Sequence, residues 1–257
     1  MNREVLIERF FDTLVAGDRP AARRVIAEQV ETGVPATRII ADLLWPTHEL
    51  IEKLYRADHL SKLSYHFSTR LLRMLVDQVS GRLTFAPANG QDVFVSCGPA
   101  EGDELAAQMA VDLLETAGYR VTFAGGGLPS DEIRTQVHER QPNILLMFAS
   151  SPSDLPGIRE IIDTMNEIGA ARKTRIAVGG GVFNRAEGLA EEIGAHIWAN
   201  SPMEMVEILL TGEVLQEYRT PQVQPPAPVK TAPRQARRPG TTGTSTAGKP
   251  ATAREAA

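Results

Sequence analysis

The sequence predicts an α/β chain: an N-terminal four-helix bundle cap followed by a five-stranded parallel, flavodoxin-like (Rossmann-like) domain. Two observations predict it. From residue 3 to about 82 the apolar residues recur at helical spacing only, and from about residue 90 short apolar runs alternate with amphipathic stretches. The first pattern suits helices that bury one stripe against each other. The second suits strands buried on both faces of a parallel sheet under crossover helices. A third shift sets the C-terminal limit: from about Thr220 the residues Pro, Ala, Thr, Gly and Gln dominate. Such a stretch buries too little apolar surface to offset its ordering entropy. The expected boundaries are therefore 1–86 for the cap, 90–215 for the α/β part and 216–257 for a disordered tail.

The cap helices carry their own start and stop signals. Val5, Leu6, Phe10, Phe11 and Leu14 form the first stripe. Asp18 is an N-cap and Pro20 suits a first turn, so a second helix starts there, with Val25, Ile26 and Val30 buried and Gly33 ending it. Pro35 opens a third helix with Ile39, Ile40, Leu43, Leu44, Leu50, Ile51 and Leu54 apolar. Pro46 lies inside it and predicts a kink, because it lacks a main-chain donor and crowds the preceding turn. Ser61 caps the fourth helix, whose stripe is Phe67, Leu71, Leu72, Leu75 and Val79. In the second half, strands are expected at 92–96, 120–123, 143–148, 175–178 and 196–198, and helices at 103–117, 130–140, 156–168, 185–193 and 202–210.

Composition narrows the function classes. The formal net charge is -5 over 257 residues, and no dense basic stripe crosses the folded part, which argues against a nucleic-acid surface. Cys97 is the single cysteine, so neither an intramolecular disulfide framework nor a cysteine-only zinc cage is available. It fits a reducing compartment, and the expected localisation is cytoplasmic. The N-terminus is polar and no apolar run has membrane-spanning length, so no membrane partner is expected. The bundle starts almost at Met1, which leaves no helix-turn-helix ahead of it, and direct DNA binding is not expected. The tail residues Lys230, Arg234, Arg237, Arg238, Lys249 and Arg254 face only Glu255 in sign. They read as a solubilising end, with a tether or a contact to an anionic partner as the alternative.

Small residues gather after the strands. Cys97 to Asp103, Gly125-Gly126-Gly127, Ala149-Ser150-Ser151-Pro152-Ser153 and Gly179-Gly180-Gly181 each follow a strand. Singly they are ordinary strand-to-helix turns. Together, at the carboxyl edge of one sheet, they outline a cleft at the switch point where open α/β folds bind ligands. No G-K-[ST] follows the glycines, and G-x-G-x-x-G is missing after the first strand, so a nucleotide site is weakly supported. No nucleophile–base pairing can be argued from spacing, so catalysis by this chain alone is unsupported.

These residues, with the preceding cap, resemble the cobalamin-binding module. That family is shared by methionine synthase, corrinoid methyl carriers and light-sensing cobalamin-dependent repressors. The resemblance runs from residue 3 to about 212. Its D-x-H-x-x-G motif falls on Glu101-Gly102-Asp103-Glu104-Leu105-Ala106, its serine on Ser150 or Ser151, and its G-G pair on Gly179-Gly180. The W-x9-E-H motif of the light sensors falls on Tyr55, Tyr65 and His66. The resemblance implies a tetrapyrrole ligand between cap and sheet, most naturally cobalamin, with haem as the alternative. Two departures stand out. Asp103 replaces the histidine that ligates cobalt from below, and Ala106 replaces the motif glycine. Carboxylate suits harder ions than imidazole does, so histidine-on binding is expected to be lost. Asp103 is then expected to cap its helix. His66 is the candidate metal ligand from the opposite face, against a structural role. Cys97 reads as packing rather than as a ligand or redox sensor, Asp154 as a helix cap, and His48, His59, His138 and His196 as structural or exposed.

The leading expectation is a ligand-binding sensory or regulatory protein that acts through a protein partner. A cofactor-free scaffold and a corrinoid methyl-carrier subunit of a methyltransferase are the alternatives. A homo-oligomer is left open.

Overall fold

A computed structural model describes residues 2–169 and 173–212. The tail expected from residue 216 lies outside the described residues. The helical half and the sheet half belong to one compact unit.

The cap is built of four rods. Helix α1 (Arg3–Val15) starts at Asn2, whose side chain accepts from the Glu4 N–H, and α2 (Arg19–Glu31) starts at Asp18, which accepts from the Ala21 N–H. The third rod is α3 (Ala36–Ile39), a π-helical turn (Ile40–Leu44) and α4 (Trp45–Arg56). The kink expected at Pro46 takes this form for a physical reason. Proline offers no N–H, and in a regular helix its ring would collide with the carbonyl four residues back. Widening one turn to i→i+5 bonding removes both conflicts. Helix α5 (Lys62–Ser80) starts at Ser61, whose hydroxyl accepts from the Ser64 N–H.

Strands β1 (Asp92–Cys97), β2 (Arg120–Gly126), β3 (Ile144–Phe148), β4 (Arg175–Gly179) and β5 (Ile197–Ala199) form one sheet. Its order is β2-β1-β3-β4-β5, and every pairing is parallel. The order reverses between β1 and β3, which places the switch point after Cys97 and Phe148. The covering helices are α6 (Glu101–Thr116), α7 (Ser130–Arg140), α8 (Leu155–Glu167), α9 (Gly181–Arg185), α10 (Leu189–Glu192) and α11 (Pro202–Thr211). Two details differ from expectation. Helix α6 starts at Glu101 rather than 103, and the single helix expected at 185–193 is two short ones, α9 and α10. Gly188 breaks them apart by adopting φ 79°, outside the helical region.

Helix α6 is buried on two sides. Leu105, Ala106, Met109 and Leu113 pack into the cap core with Phe10, Leu14, Ile51 and Leu72. Ala107, Ala110, Val111 and Leu114 pack into the sheet core with Val93, Val95 and Leu146. A helix with two apolar faces must be covered on both, and this one joins the two halves. Along most of its length runs a polar seam to α5. Thr69 donates to Glu101 at 3.0 Å, Arg73 to Glu104 at 3.0 Å and Gln108 to Asp77 at 2.6 Å, and Ser80 bonds Asp112.

The turn after β4 depends on Gly180. Its φ is 103°, and a Cβ there would stand 2.3 Å from the Ala149 carbonyl oxygen. Gly33 has φ 78° but open space around it. Gly180→Ala is therefore expected to lose roughly 2–4 kcal/mol of stability in urea unfolding, and Gly33→Ala only about 1 kcal/mol. Equal losses would contradict the close approach of these two turns.

Candidate functional site

The carboxyl edge of the sheet and the cap face each other across a cavity of about 330 Å³. Its lower wall is Gly102, Asp103 and Ala106 of α6, Ser150 after β3, and Gly180, Gly181, Asn184 and Arg185 after β4. Its upper wall is Trp45, His48, Glu49, Glu52, Lys53 and Arg56 of α4. On the other side of the β1–α6 turn lies a second space of about 200 Å³, lined by Cys97, Gly98, Pro99, Met147, Phe148, Asp154 and Ile158 among others. The Cβ of Ala106, where the family motif has glycine, belongs to the wall of the first cavity.

Asp103 stands between the two spaces and is buried, at 2% exposure. It does not cap α6. The N-cap is Ala100, and Asp103 sits in the first turn, where the helix dipole favours its charge. Ser150 offers its hydroxyl and main-chain N–H to the carboxyl. Burial nevertheless pushes the acid up to about 6; the Ser150 hydroxyl opposes it, and the nearby charge of Asp154 adds a smaller upward push. Asp154 occupies the N-cap position of α8 but makes no capping bond with its side chain. Its Oδ2 and that of Asp103 are both buried, and neither has a hydrogen-bond partner among the described residues. Both oxygens crowd the same spot, since a Cβ on Gly98 would come within 2.6 Å of one and 2.8 Å of the other. Gly98 is what allows the two carboxyls to approach. The Cys97 thiol is pushed up to about 12, first by burial and then by Asp103 and Glu104, which keeps it protonated and suits a packing role.

The aromatic pair of the cap closes over this turn. Tyr55 and Tyr65 stack with ring centroids 3.9 Å apart and planes 16° from parallel. The Tyr65 hydroxyl donates to Glu52 Oε1 at 2.8 Å. A Cβ on Gly102 would lie 2.4 Å from that same Glu52 oxygen and 3.2 Å from the Tyr65 hydroxyl. Gly102 thus lets the cap rest directly on the first turn of α6. Glu52 is raised above the usual carboxylate range, chiefly by burial, while the Tyr65 bond and the charges of Arg56 and Arg185 hold it down in part. Arg185 donates to the Ser150 carbonyl at 2.6 Å and is itself lowered by burial and by the nearby Arg56.

The structure brings together only some of the residues expected from sequence. Gly102, Asp103, Ser150 and Gly180 line the cavity, and Tyr65 reaches it through Glu52. Tyr55 lies behind Tyr65. His66 and Glu101 do not line the cavity; they face each other at 3.5 Å on the α5–α6 seam, and the His66 side chain is 41% exposed. Ser151 caps the short turn Pro152–Asp154 by accepting from the Ser153 N–H. Gly179 ends β4 against the Phe148 ring. His48, read from sequence as structural or exposed, is 4% exposed, packs at 5.5 Å from Trp45 and lines the cavity. Among the described residues its Nδ1 has no hydrogen-bond partner, and burial lowers it to about 4, so the imidazole is neutral. An unpaired buried nitrogen costs about 1–3 kcal/mol, which calls for a reason. A signal was present: His48, Glu52, Tyr55 and Arg56 lie at i, i+4, i+7 and i+8, a polar stripe on one face of a helix. Among the described residues no group of three or more His, Cys, Asp or Glu forms a metal cage, and no helix is long and apolar enough to cross a membrane.

The acid at the centre of the turn gives a pH-dependent prediction. Asp103 ionises near 6 in the folded chain against an ordinary value of 3.8, so its ionisation works against folding above that pH. Asp103→Asn is expected to be more stable than the wild type at pH 7.5, by roughly 1–2 kcal/mol, with the difference vanishing as the pH falls through 6 towards 4. A difference independent of pH in thermal unfolding would contradict this environment for Asp103.

Two family models match the chain, both described as B12 binding domain, one over residues 92–207 and the other over residues 6–80. Dimethylamine corrinoid protein 1 of Methanosarcina mazei is 29% identical over 111 residues, 42% of this chain and 50% of that protein. Dimethylamine corrinoid protein 1 of Methanosarcina acetivorans is 26% identical over 111 residues, 42% of this chain and 51% of that protein. The chain thus spans about half the length of these curated relatives. The solved structure of Methanosarcina barkeri monomethylamine corrinoid protein matches with a TM-score of 0.71 and 17% identity, covering 82% of this chain and 100% of that one. At that identity the likeness is one of fold, a helical cap on a Rossmann-like domain. The two family models together take in the cap and nearly all of the described sheet half, and the chain belongs to the cobalamin-binding module family, whose cofactor is cobalamin.

Proposed function

We propose that this chain is a cobalamin-binding regulatory protein that holds its cofactor between cap and sheet edge without a lower histidine ligand. The observation that supports this most is Asp103. At the place of the family histidine stands a buried carboxyl engaged with Ser150 and facing Asp154. Carboxylate is a poorer partner than imidazole for a first-row transition metal of this kind. The position therefore serves to hold the ligand's surroundings rather than its metal.

The residues around the cavity fit a large planar ligand bearing amide groups. Gly102, Gly180 and Gly181 keep the floor low. Asp103 and Ser150 offer acceptors, and Asn184, Arg56 and Arg185 offer donors. Trp45 supplies an aromatic wall. The partnerless atoms of His48 and Asp103 are groups a polar ligand would satisfy. When bound, cobalamin would supply a cobalt centre able to change its ligation and redox state. The protein's own contribution is to bind, to orient and to exclude water.

The cavity of about 330 Å³ sits at the lower end of the range for drug-sized ligands, roughly 300–1,000 Å³, and a corrin with its amide arms and nucleotide loop is larger. Binding then requires α4 and α5 to lift from the first turns of α6. The contacts that resist are the polar seam and the Tyr65–Glu52 bond, which water can replace, together with the packing of Leu105 and Ala106 against the cap core, which it cannot. A cap that moves on ligand entry is a means of passing the cofactor's state to a protein partner.

A second reading, a corrinoid methyl carrier that works with a methyltransferase, is favoured by one observation: the matched curated relatives are named as dimethylamine corrinoid proteins. One experiment addresses both readings. The full chain is mixed with hydroxocobalamin, desalted and examined by visible absorbance, and the methylated form is then offered to candidate methyltransferases. The proposal expects about one equivalent of cobalamin retained and no enzyme-dependent demethylation. Failure to retain cobalamin overturns the proposal outright, and rapid demethylation hands the function to the carrier reading.

A further inference from the structure

We propose that the outer face of α5 is the surface on which a protein partner docks, and that the partner meets it with an acidic amphipathic helix. The inference rests on the reading that this chain acts through a protein partner, and adds where that partner is held and by what chemistry. Leu63, Phe67, Arg70 and Met74 stand at i, i+4, i+7 and i+11 of α5, which sets them in one row about 16 Å long. Leu63 is 63% exposed and Phe67 44%, so two large apolar side chains on successive turns of this row are left to solvent. Phe67 rests on the α1–α2 turn, where a Cβ on Gly17 would stand 3.3 Å from its ring. Met74 is half-buried, and the guanidinium groups of Arg19 and Arg23 both reach its sulfur, at 3.3 and 3.2 Å. Three exposed arginines, Arg19, Arg23 and Arg70, therefore rim the row.

Those arginines lack the partners that guanidinium favours. Among the described residues none of the three takes part in an ion pair. A thioether is a weak acceptor and leaves most of the five guanidinium donors unused. Nearby acids are committed elsewhere: Asp18 accepts from the Ala21 N–H to cap α2, and Asp77, one turn beyond Met74, accepts from Gln108. The complement of this surface is apolar along the middle and acidic at the sides. An amphipathic helix of three turns has that pattern and that length, and its carboxylates can take guanidinium in bidentate pairs. Aromatic residues, Met and Arg are also the side chains that protein–protein interfaces favour. An anionic lipid surface fits less well, because two exposed apolar side chains give little to insert and the chain's net charge of -5 opposes approach.

The docking row shares its helix with the contacts that hold the cap shut. On the other flank of α5, Tyr65 bonds Glu52 of α4, while Thr69 and Arg73 bond Glu101 and Glu104 of α6. A shift of α5 on cofactor entry thus moves Leu63, Phe67 and Arg70 together, which gives the partner a state to read.

The test is photo-cross-linking of the full chain in its own cells. The photoprobe p-benzoyl-L-phenylalanine replaces Leu63, and in a control it replaces Ile168, 61% exposed at the end of α8. Adducts are identified by mass spectrometry, and circular dichroism checks that each variant folds. The expected result is an adduct with one other protein from position 63 and none from position 168. Its cross-linked segment carries Asp or Glu at helical spacing beside an apolar stripe. Arg23→Glu and Arg70→Glu are expected to lower the yield at least tenfold, and Arg140→Glu, on α7, to leave it unchanged. No adduct, an adduct with a second copy of this chain, a yield that the charge reversals do not move, or flotation with phosphatidylserine vesicles in place of a protein adduct each overturns the inference. The same variants are loaded with hydroxocobalamin and desalted. Retained cobalamin without the adduct removes the docking surface and leaves the cobalamin reading standing. The adduct without retained cobalamin does the reverse, and if both are missing both fall.

Discussion

Helix α6 has to be buried on two sides, and the rest of the molecule is arranged around that. One face carries Leu105, Met109 and Leu113 into the cap, and the other carries Ala107, Ala110 and Leu114 onto the sheet. Removing either neighbour would expose a full apolar stripe, at about 25 cal/mol for each Å² uncovered. The cap and the sheet are therefore halves of one structure, and the first turn of α6 lies at their common edge. That turn holds Gly102 and Asp103. The place where the family motif falls is thus also where the two halves meet.

Two kinds of contact hold α6 to the cap side by side. An apolar stripe through Leu105, Met109 and Leu113 is buried in the cap core. A polar row beside it pairs Thr69 with Glu101, Arg73 with Glu104, Asp77 with Gln108 and Ser80 with Asp112, and at the first turn Tyr65 and Glu52 meet over Gly102. Polar pairs at a partly exposed seam contribute little net stability because water competes for them. Asp103 fits this division: as a buried acid raised to about 6 it costs stability at neutral pH, and a polar ligand at the seam would offset that cost.

Most of the fold was legible in the sequence. Helix stripes such as Leu71, Leu72 and Leu75, and strand runs such as the one ending in Met147 and Phe148, are dictated by burial, which leaves a periodic trace. The lower wall of the site was legible as well, because Gly102, Asp103, Ser150 and Gly180 each follow a strand and a parallel sheet brings such turns to one edge. The upper wall was not. The π-helical turn at Ile40–Leu44 inserts one extra residue, which rotates the following face by roughly 100°. That rotation is consistent with Trp45, His48, Glu52 and Arg56 facing the cavity, where motif spacing had pointed to Tyr55, Tyr65 and His66. The split of α9 from α10 escaped notice for a similar reason, since it turns on one backbone angle at Gly188.

The central claim is that a corrinoid enters by parting the polar edge of the cap from the first turn of α6. Hydrogen–deuterium exchange of the full chain with and without hydroxocobalamin tests it most directly. The account predicts that exchange changes in α4, in the first half of α5, and in the turns at Gly98 to Asp103, Ser150 and Gly180, while α2, α7 and the β2 edge stay as they were. Changes confined to α7 and α8, or spread evenly over the whole chain, would contradict it.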